Sequence, residues 1–313
     1  MIERPNRRRF LECMAWAGTG TLWTMSGGLA ASVSLDQALA APRRMHHGGV
    51  KPFTFLQISD SHIGFAKPAN PDAHVTYREA VAKIKALAVK PDFIIHTGDV
   101  SQLSKDQEFD DADQILGEAG ITAFHVPGEH DLLDEGQGKA FLARYGKDAL
   151  GDGWYSFDHS GVHFIALINV KELNAGGSGH LGEAQLAWLK TDLAGRSASQ
   201  PIVVFTHVPL WALYPQWGWG TDDAEPAMAL LRRFGSVTVL NGHIHQVQQK
   251  VEGNITFHTA RSTAFPQPAP GTPGASPGPM KVPAEQLRAT LGLRTVNVVN
   301  GHQPLALIDT PLA

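Results

Sequence analysis

From residue 53 onward, short and mostly apolar runs alternate with longer segments whose apolar residues recur every three or four positions. FTFLQI (53–58), DFIIH (92–96), TAFHV (122–126), VHFIALI (162–168), PIVVF (201–205) and SVTVL (236–240) have the length and the β-branched and aromatic content of buried strands. DAHVTYREAVAKIKALAV (72–89), KDQEFDDADQILGEAG (105–120), EAQLAWLKTDLAG (183–195) and AEPAMALLRRFG (224–235) read as amphipathic helices, several of them ended by glycine. The alternation predicts an α/β fold. Further on, HQVQQKVEG (245–253), ITFHTA (255–260) and TVNVVNGHQPLALIDTPL (295–312) follow without helices between them and predict hairpins. A mixed sheet or a two-sheet sandwich flanked by helices suits that order better than a simple doubly wound sheet.

Two stretches break the pattern. Residues 266–283, PQPAPGTPGASPGPMKVP, cannot form a regular element and predict a mobile surface insertion in preference to a substrate lid. The first 41 residues combine a basic start, an uncharged stretch from Cys13 to Leu35 and a small-residue site ending at Ala40, the plan of a secretory signal cleaved after Ala40. Arg7-Arg8-Arg9-Phe10-Leu11 resembles the twin-arginine signal, which carries folded proteins across a bacterial inner membrane. The expected organisation is a signal peptide over 1–41, a linker over 42–52 and a single domain over 53–313. An uncleaved anchor competes, since the uncharged stretch approaches the length of a membrane span. Its glycines and serines favour cleavage instead, which implies the twin-arginine machinery as a partner, no stable membrane insertion afterwards, and a periplasmic or secreted protein.

Composition narrows the chemistry. With 313 residues, 43% hydrophobic and 18% charged, the chain can fill a large core. Net charge is −4, and residues 1–41 hold four arginines against Glu3, Glu12 and Asp36, which leaves −5 for the remainder. No polybasic stripe appears, so duplex nucleic acid is not an expected partner. Cys13 is the only cysteine and lies in the signal segment, which excludes disulfides, thiolate catalysis and cysteine-ligated zinc from a mature chain.

Five of the expected strands run into short loops that carry metal-ligand side chains: ISDSH (Asp60, His62), TGDV (Asp99), PGEHD (Glu129, His130), FTHVP (His207) and NGHIH (His243, His245). In α/β sheets, sites assemble at the carboxyl ends of strands, so these groups can converge despite their separation in sequence. Any one of them alone reads as a turn residue; five in succession do not. Alternation along an extended segment is expected to put Asp60 and His62 on one side, and His243 and His245 likewise.

The order D-x-H, G-D, G-x-H-D, H and G-H-x-H closely resembles the calcineurin-like metallophosphoesterase superfamily, over roughly residues 53–260. The likeness is nearest to bacterial members often described as cyclic-nucleotide phosphodiesterases. It implies a four-layer α/β/β/α sandwich and a two-metal centre that hydrolyses a small-molecule phosphoester, a metal-bridged hydroxide attacking phosphorus. Carried over by position, Asp60, His62 and His245 would hold one metal, Asp99 would bridge, and His207, His243 and residue 129 would hold the other. His130 matches the family's non-ligand histidine, read as contacting the phosphoryl oxygens or protonating the leaving alkoxide. Carboxylates and imidazoles suit Mn, Fe or Zn, and a shared carboxylate sets two ions about 3.5–4 Å apart, able to clamp both oxygens of an in-line displacement.

The departure from the family is at position 129, where the usual G-N-H has Asn and this chain has Glu. Two divalent ions, Asp60, Asp99 and a hydroxide sum to +1; an ionised Glu129 brings the sum to zero. The loss penalises a dianionic monoester more than a monoanionic diester, which points to a phosphodiesterase, and a trivalent iron would restore the charge. Glu129 can be a true ligand, a substitution that abolishes hydrolysis and leaves a metal-binding or regulatory protein, or a loop glutamate turned to solvent. The competing reading of His130 is a structural histidine held by Asp131, and the two readings are compatible, because a carboxylate partner usually orients a catalytic imidazole.

Other features carry less. His96, His125, His163 and His258 lie in apolar strands and read as core or strand-edge residues, and His180 has no partner in sequence. WALYPQWGWG (211–220) reads as a packed hydrophobic loop, with stacking on a base or on an apolar leaving group as the alternative. The related purple acid phosphatases carry a Tyr after the G-D motif; Ser101 and Gln102 stand here, so a tyrosinate-coloured iron site is not expected.

Overall fold

The computed structural model describes residues 21–26, 29–34, 50–171, 173, 177–298 and 306–313. The chain divides into two units, Met1–Gly48 and Gly49–Ala313. In the first, the described residues form an antiparallel pair of β1 (Thr21–Ser26) and β2 (Leu29–Ser34). The arginine motif and the small-residue cleavage site both lie outside the described residues. No helix among the described residues is long and apolar enough to cross a membrane.

The second unit contains two sheets. One is built from β3 (Phe53–Ile58), β4 (Ile94–His96), β5 (Ala123–His125), β12 (Gly292–Val298) and β13 (Ala306–Pro311), in the order β13-β12-β3-β4-β5. The other contains β6 (Tyr155–His159), β7 (Val162–Ala166), β8 (Ile202–Thr206), β9 (Val237–Asn241), β10 (Gln249–Glu252) and β11 (Ile255–Thr259), in the order β10-β11-β9-β8-β7-β6. Both are mixed: β3, β4 and β5 run parallel and β12 pairs antiparallel with both β3 and β13, while β7, β8, β9 and β11 run parallel with antiparallel β6 and β10 at the edges.

Side-chain alternation explains why the strands read as continuous apolar runs. Phe53 and Phe55 point between the sheets toward Phe164, Val203 and Phe205, and form the central core. Leu56 and Ile58 point to the opposite face, onto α1 (Ala73–Lys85) and α2 (Asp106–Gly117) through Tyr77, Val81, Phe109 and Ile115. On the far side, Ile165, Val204 and Val239 meet α4 (Glu183–Leu193) and α5 (Ala224–Leu231) through Leu189, Leu193 and Leu231. Every central strand is buried on both faces, so neither face needs polar residues. The result is the α/β/β/α sandwich that the motif order implied. α1 begins where the Asp72 side chain accepts the His74 backbone N–H at 2.9 Å.

Three elements carried no clear pattern in sequence: β6, α3 (Lys139–Tyr145) and α6 (Ala284–Thr290). β6 is an edge strand whose residues are half-buried or exposed, and both helices are only seven residues long. The Pro/Gly-rich stretch is largely exposed over 269–279, as expected of a surface insertion, but its ends are anchored. The Gln267 side chain donates to the His243 carbonyl at 2.7 Å and accepts the Gly278 N–H at 2.8 Å.

Candidate metal centre

The loops after β3, β4, β5, β8 and β9 meet at one edge of the sandwich. They bring together Asp60, His62, Asp99, Glu129, His130, His207, His243 and His245, all the residues singled out from sequence. The route differs from the one expected. Asp60 (φ 53°), His62 (φ 41°), Asp99 (φ 53°), His243 (φ 66°) and His245 (φ 56°) all adopt left-handed backbone, so turns aim the paired side chains, and strand alternation does not. Non-glycine residues seldom adopt that conformation, and its concentration here marks a backbone held in place by its surroundings for function.

Two donor sets are present. Asp60, His62 and His245 form the first, with His245 Nε2 3.2 Å from Asp60 Oδ1 and 3.3 Å from His62 Nε2. Glu129, His207 and His243 form the second, with Glu129 Oε2 2.9 Å from His207 Nε2 and Oε1 3.0 Å from His243 Nδ1. Asp99 Oδ2 lies between them, 3.5 Å from His62 Nε2 and 3.4 Å from His207 Nε2. The Glu129 carboxylate therefore faces the histidines, and the solvent-turned arrangement does not occur.

Surrounding hydrogen bonds fix the donors. His207 Nδ1–H donates to the Thr97 carbonyl and His245 Nδ1–H to the Phe265 carbonyl, each at 2.6 Å, which leaves a lone pair on each inward Nε2. Asp60 accepts the His243 N–H and the Ser59 hydroxyl, and Asp99 accepts the His130 N–H at 2.9 Å. Any side chain at Gly128 would collide with Asp99 Oδ1, so this position requires glycine.

These residues fit cations. With Nδ1–H committed, the inward Nε2 of His245 faces Asp60 and His62, and that of His207 faces Asp99, Glu129 and His243, an arrangement that is repulsive without a positive charge between the groups. Glu129 Oε2 is buried with no hydrogen-bond donor. Without a metal, a proton meets the same demand for positive charge. Burial pushes His62 down to about 3. Burial also opposes charge on His207, yet the carboxylates of Asp99 and Glu129 hold it well above the ordinary histidine value. Glu129 stays well below the usual carboxylate range against burial, because His243 and His207 face it.

His130 is not held by Asp131. Its Nδ1–H donates to the Gln102 carbonyl at 2.7 Å, and its ring stands edge-on to His62 at 4.8 Å. Asp131 instead accepts the N–H groups of Val100, Ser101 and Gly128 and the Ser101 hydroxyl at 2.8–3.0 Å, tying the Asp99 loop to the Glu129 loop. A buried carboxylate beside four donors is better spent on them than on an imidazole that a carbonyl already orients. Gln102, Gln267 and Phe265 escaped the sequence reading, because a backbone carbonyl, a side-chain amide bonded to backbone, or ring packing leaves no motif. The Phe265 ring lies 4.7 Å from both His62 and His245.

A cleft of about 310 Å³ opens over the donors, lined also by Phe65, Lys67, Trp217, Trp219 and Pro277–Pro279. Elsewhere, His96, His163 and His258 are buried as expected, and His125 stacks on Tyr145 at 4.1 Å. His180 does have a partner: its Nδ1 lies 2.7 Å from Asp222 Oδ1, a contact across 42 positions that the sequence could not show.

Residues 53–247 match the family model for the calcineurin-like phosphoesterases, and the chain belongs to that family. A probable cyclic nucleotide phosphodiesterase of Psychrobacter arcticus is 22% identical, over 67% of this chain and 80% of that one. A glycerophosphodiester phosphodiesterase of Enterobacter lignolyticus is 24% identical, over 67% of this chain and 77% of that one. Among solved structures, a dimetal phosphatase from Danio rerio superposes with a TM-score of 0.56 at 16% identity, covering 83% of this chain and 99% of that one. By family, this chain is a metal-dependent phosphoester hydrolase.

Proposed function

We propose that the protein is an exported binuclear phosphodiesterase in which Glu129 is a ligand and His130 acts on the leaving group or the phosphoryl oxygens. The observation that carries the reading is the Glu129 carboxylate, which reaches both His207 and His243 and completes the second donor set. Asp60, His62 and His245 would hold the first cation, Asp99 would bridge, and Glu129, His207 and His243 would hold the second; the donors suit Mn, Fe or Zn. Two bound cations would neutralise phosphoryl oxygens and lower the pKa of a coordinated water.

The chain's own groups supply the rest. The Gln102 carbonyl fixes the His130 ring by its Nδ1–H, which leaves Nε2 to contact a phosphoryl oxygen or to give a proton to the departing oxygen. Three carboxylates instead of two lower the positive potential, and a dianionic monoester loses more from that than a monoanionic diester does. The two curated relatives above are named as phosphodiesterases, which agrees with the preference.

Export rests on Arg7, Arg8, Phe10 and Leu11 ahead of the uncharged stretch and the Ala-Leu-Ala site. The direct test strips the purified mature protein with a chelator and reloads it with Mn, Fe or Zn. Hydrolysis of bis(p-nitrophenyl) phosphate should disappear, return with metal, and be absent in Asp99→Ala. Turnover that survives chelation would overturn the binuclear reading.

A further inference from the structure

The cleft extends past the metal ligands along an aromatic wall, and most of that wall is already engaged. Phe65 packs on Phe265 at 4.3 Å, Phe265 packs on two of the histidines, and Trp219 is 1% exposed. Trp217 is different: it lines the cleft and is only half-buried. It is also held rigidly. A single 3-10 turn over Pro215–Trp217 ends at Gly218 (φ 71°), and the loop is closed by Leu213 and Tyr214 N–H groups donating to the Trp219 carbonyl at 2.8 and 3.0 Å. Trp219 and Tyr214 meet the indole edge-on, at 4.9 and 5.1 Å.

An indole fixed in this way has little conformational freedom left to lose on binding, and it lines the same cleft as Glu129, His130 and His243. We propose that Trp217 is a specificity-determining residue that receives a flat aromatic ester arm, a nucleobase or an aryl group, of the phosphodiester held at the metal centre. The proposal rests on the phosphodiesterase reading above. A purely alkyl arm would gain burial from the cleft but no stacking, and Leu or Met would serve it equally well.

The test varies only the arm, keeping p-nitrophenolate as the leaving group. The Mn-loaded mature protein and Trp217→Ala are compared on methyl p-nitrophenyl phosphate, bis(p-nitrophenyl) phosphate and thymidine 5′-(p-nitrophenyl phosphate). The KM ratio of each aromatic-arm diester to the methyl diester should rise about tenfold in Trp217→Ala, in the range of base–aromatic stacking. Trp217→Phe should restore most of it. Whichever aromatic arm responds more identifies the group as base or aryl. An equal change on all three diesters, or no change on any, would overturn the proposal. Complete absence of turnover by the unmodified protein would count against the phosphodiesterase reading instead. Equilibrium dialysis of the same three diesters against both proteins would then decide the Trp217 role, arm-selective loss of affinity supporting it and uniform affinity overturning it.

Discussion

A carboxylate at position 129, where the motif resemblance implied an amide, lowers the charge of the centre by one, and a nearby cation bears on the same balance. Lys67 is the one lysine or arginine that lines the cleft, and it has no acidic partner among the described residues. It therefore returns part of the positive potential that Glu129 removes. Lys67→Met should raise KM for anionic diesters about threefold and reduce the dependence of kcat/KM on salt, because an exposed charge acts through a screened field. For His130, orientation by a backbone carbonyl survives any change of side chain nearby. His130→Ala should lower kcat by about 10²–10⁴ with bound metal unchanged, measured by steady-state kinetics and elemental analysis. A parallel loss of metal would show that the imidazole is a ligand.

At the scale of elements, the loops after β4 and β5 act as one unit because Asp131 accepts donors from both. In Asp131→Asn, an amide NH₂ in place of Oδ2 would face the N–H groups of Val100 and Gly128, and in place of Oδ1 that of Ser101. That variant should lose about 2–4 kcal/mol by denaturant unfolding, with weakened metal binding. On the far side, Asp192 of α4 accepts the Ser156 hydroxyl at 2.6 Å and faces His163 Nε2 at 2.7 Å, joining the helix to β6 and β7. Burial opposes its charge, but these hydrogen bonds hold its pKa below the ordinary 3.8. The depressed carboxyl adds stability above that value and loses it as pH falls through the folded pKa. The destabilisation of Asp192→Asn, about 1 kcal/mol at pH 7, should therefore shrink in unfolding experiments below pH 3.8. The central strands were legible because both faces are apolar, and the ligands because each follows such a strand. Short α3, the polar edge strand β6, the left-handed turns at Asp60 and His243, and the anchoring of Gln267 were not, since each depends on contacts between distant residues.

For the whole molecule, seven donors from five loops join the two sheets at one edge, so metal and fold are linked. Chelation should lower the melting temperature by about 10 °C and reloading should restore it, if cation is present at roughly a thousand times its Kd. Replacing Arg7 and Arg8 together by Lys should stop export and leave uncleaved precursor in the cytoplasm, visible as a size difference on immunoblots. The central claim, that Glu129 is a ligand which tunes an active centre toward diesters, is tested most directly by one comparison. kcat/KM for bis(p-nitrophenyl) phosphate and for p-nitrophenyl phosphate would be measured with Mn-loaded native protein and Glu129→Asn. The account predicts a native preference for the diester that shifts toward the monoester by about tenfold in the variant, a change of roughly 1.4 kcal/mol. Native protein inert with both substrates, beside an active Glu129→Asn, would contradict it and make the glutamate the mark of a chain that binds metal without hydrolysing.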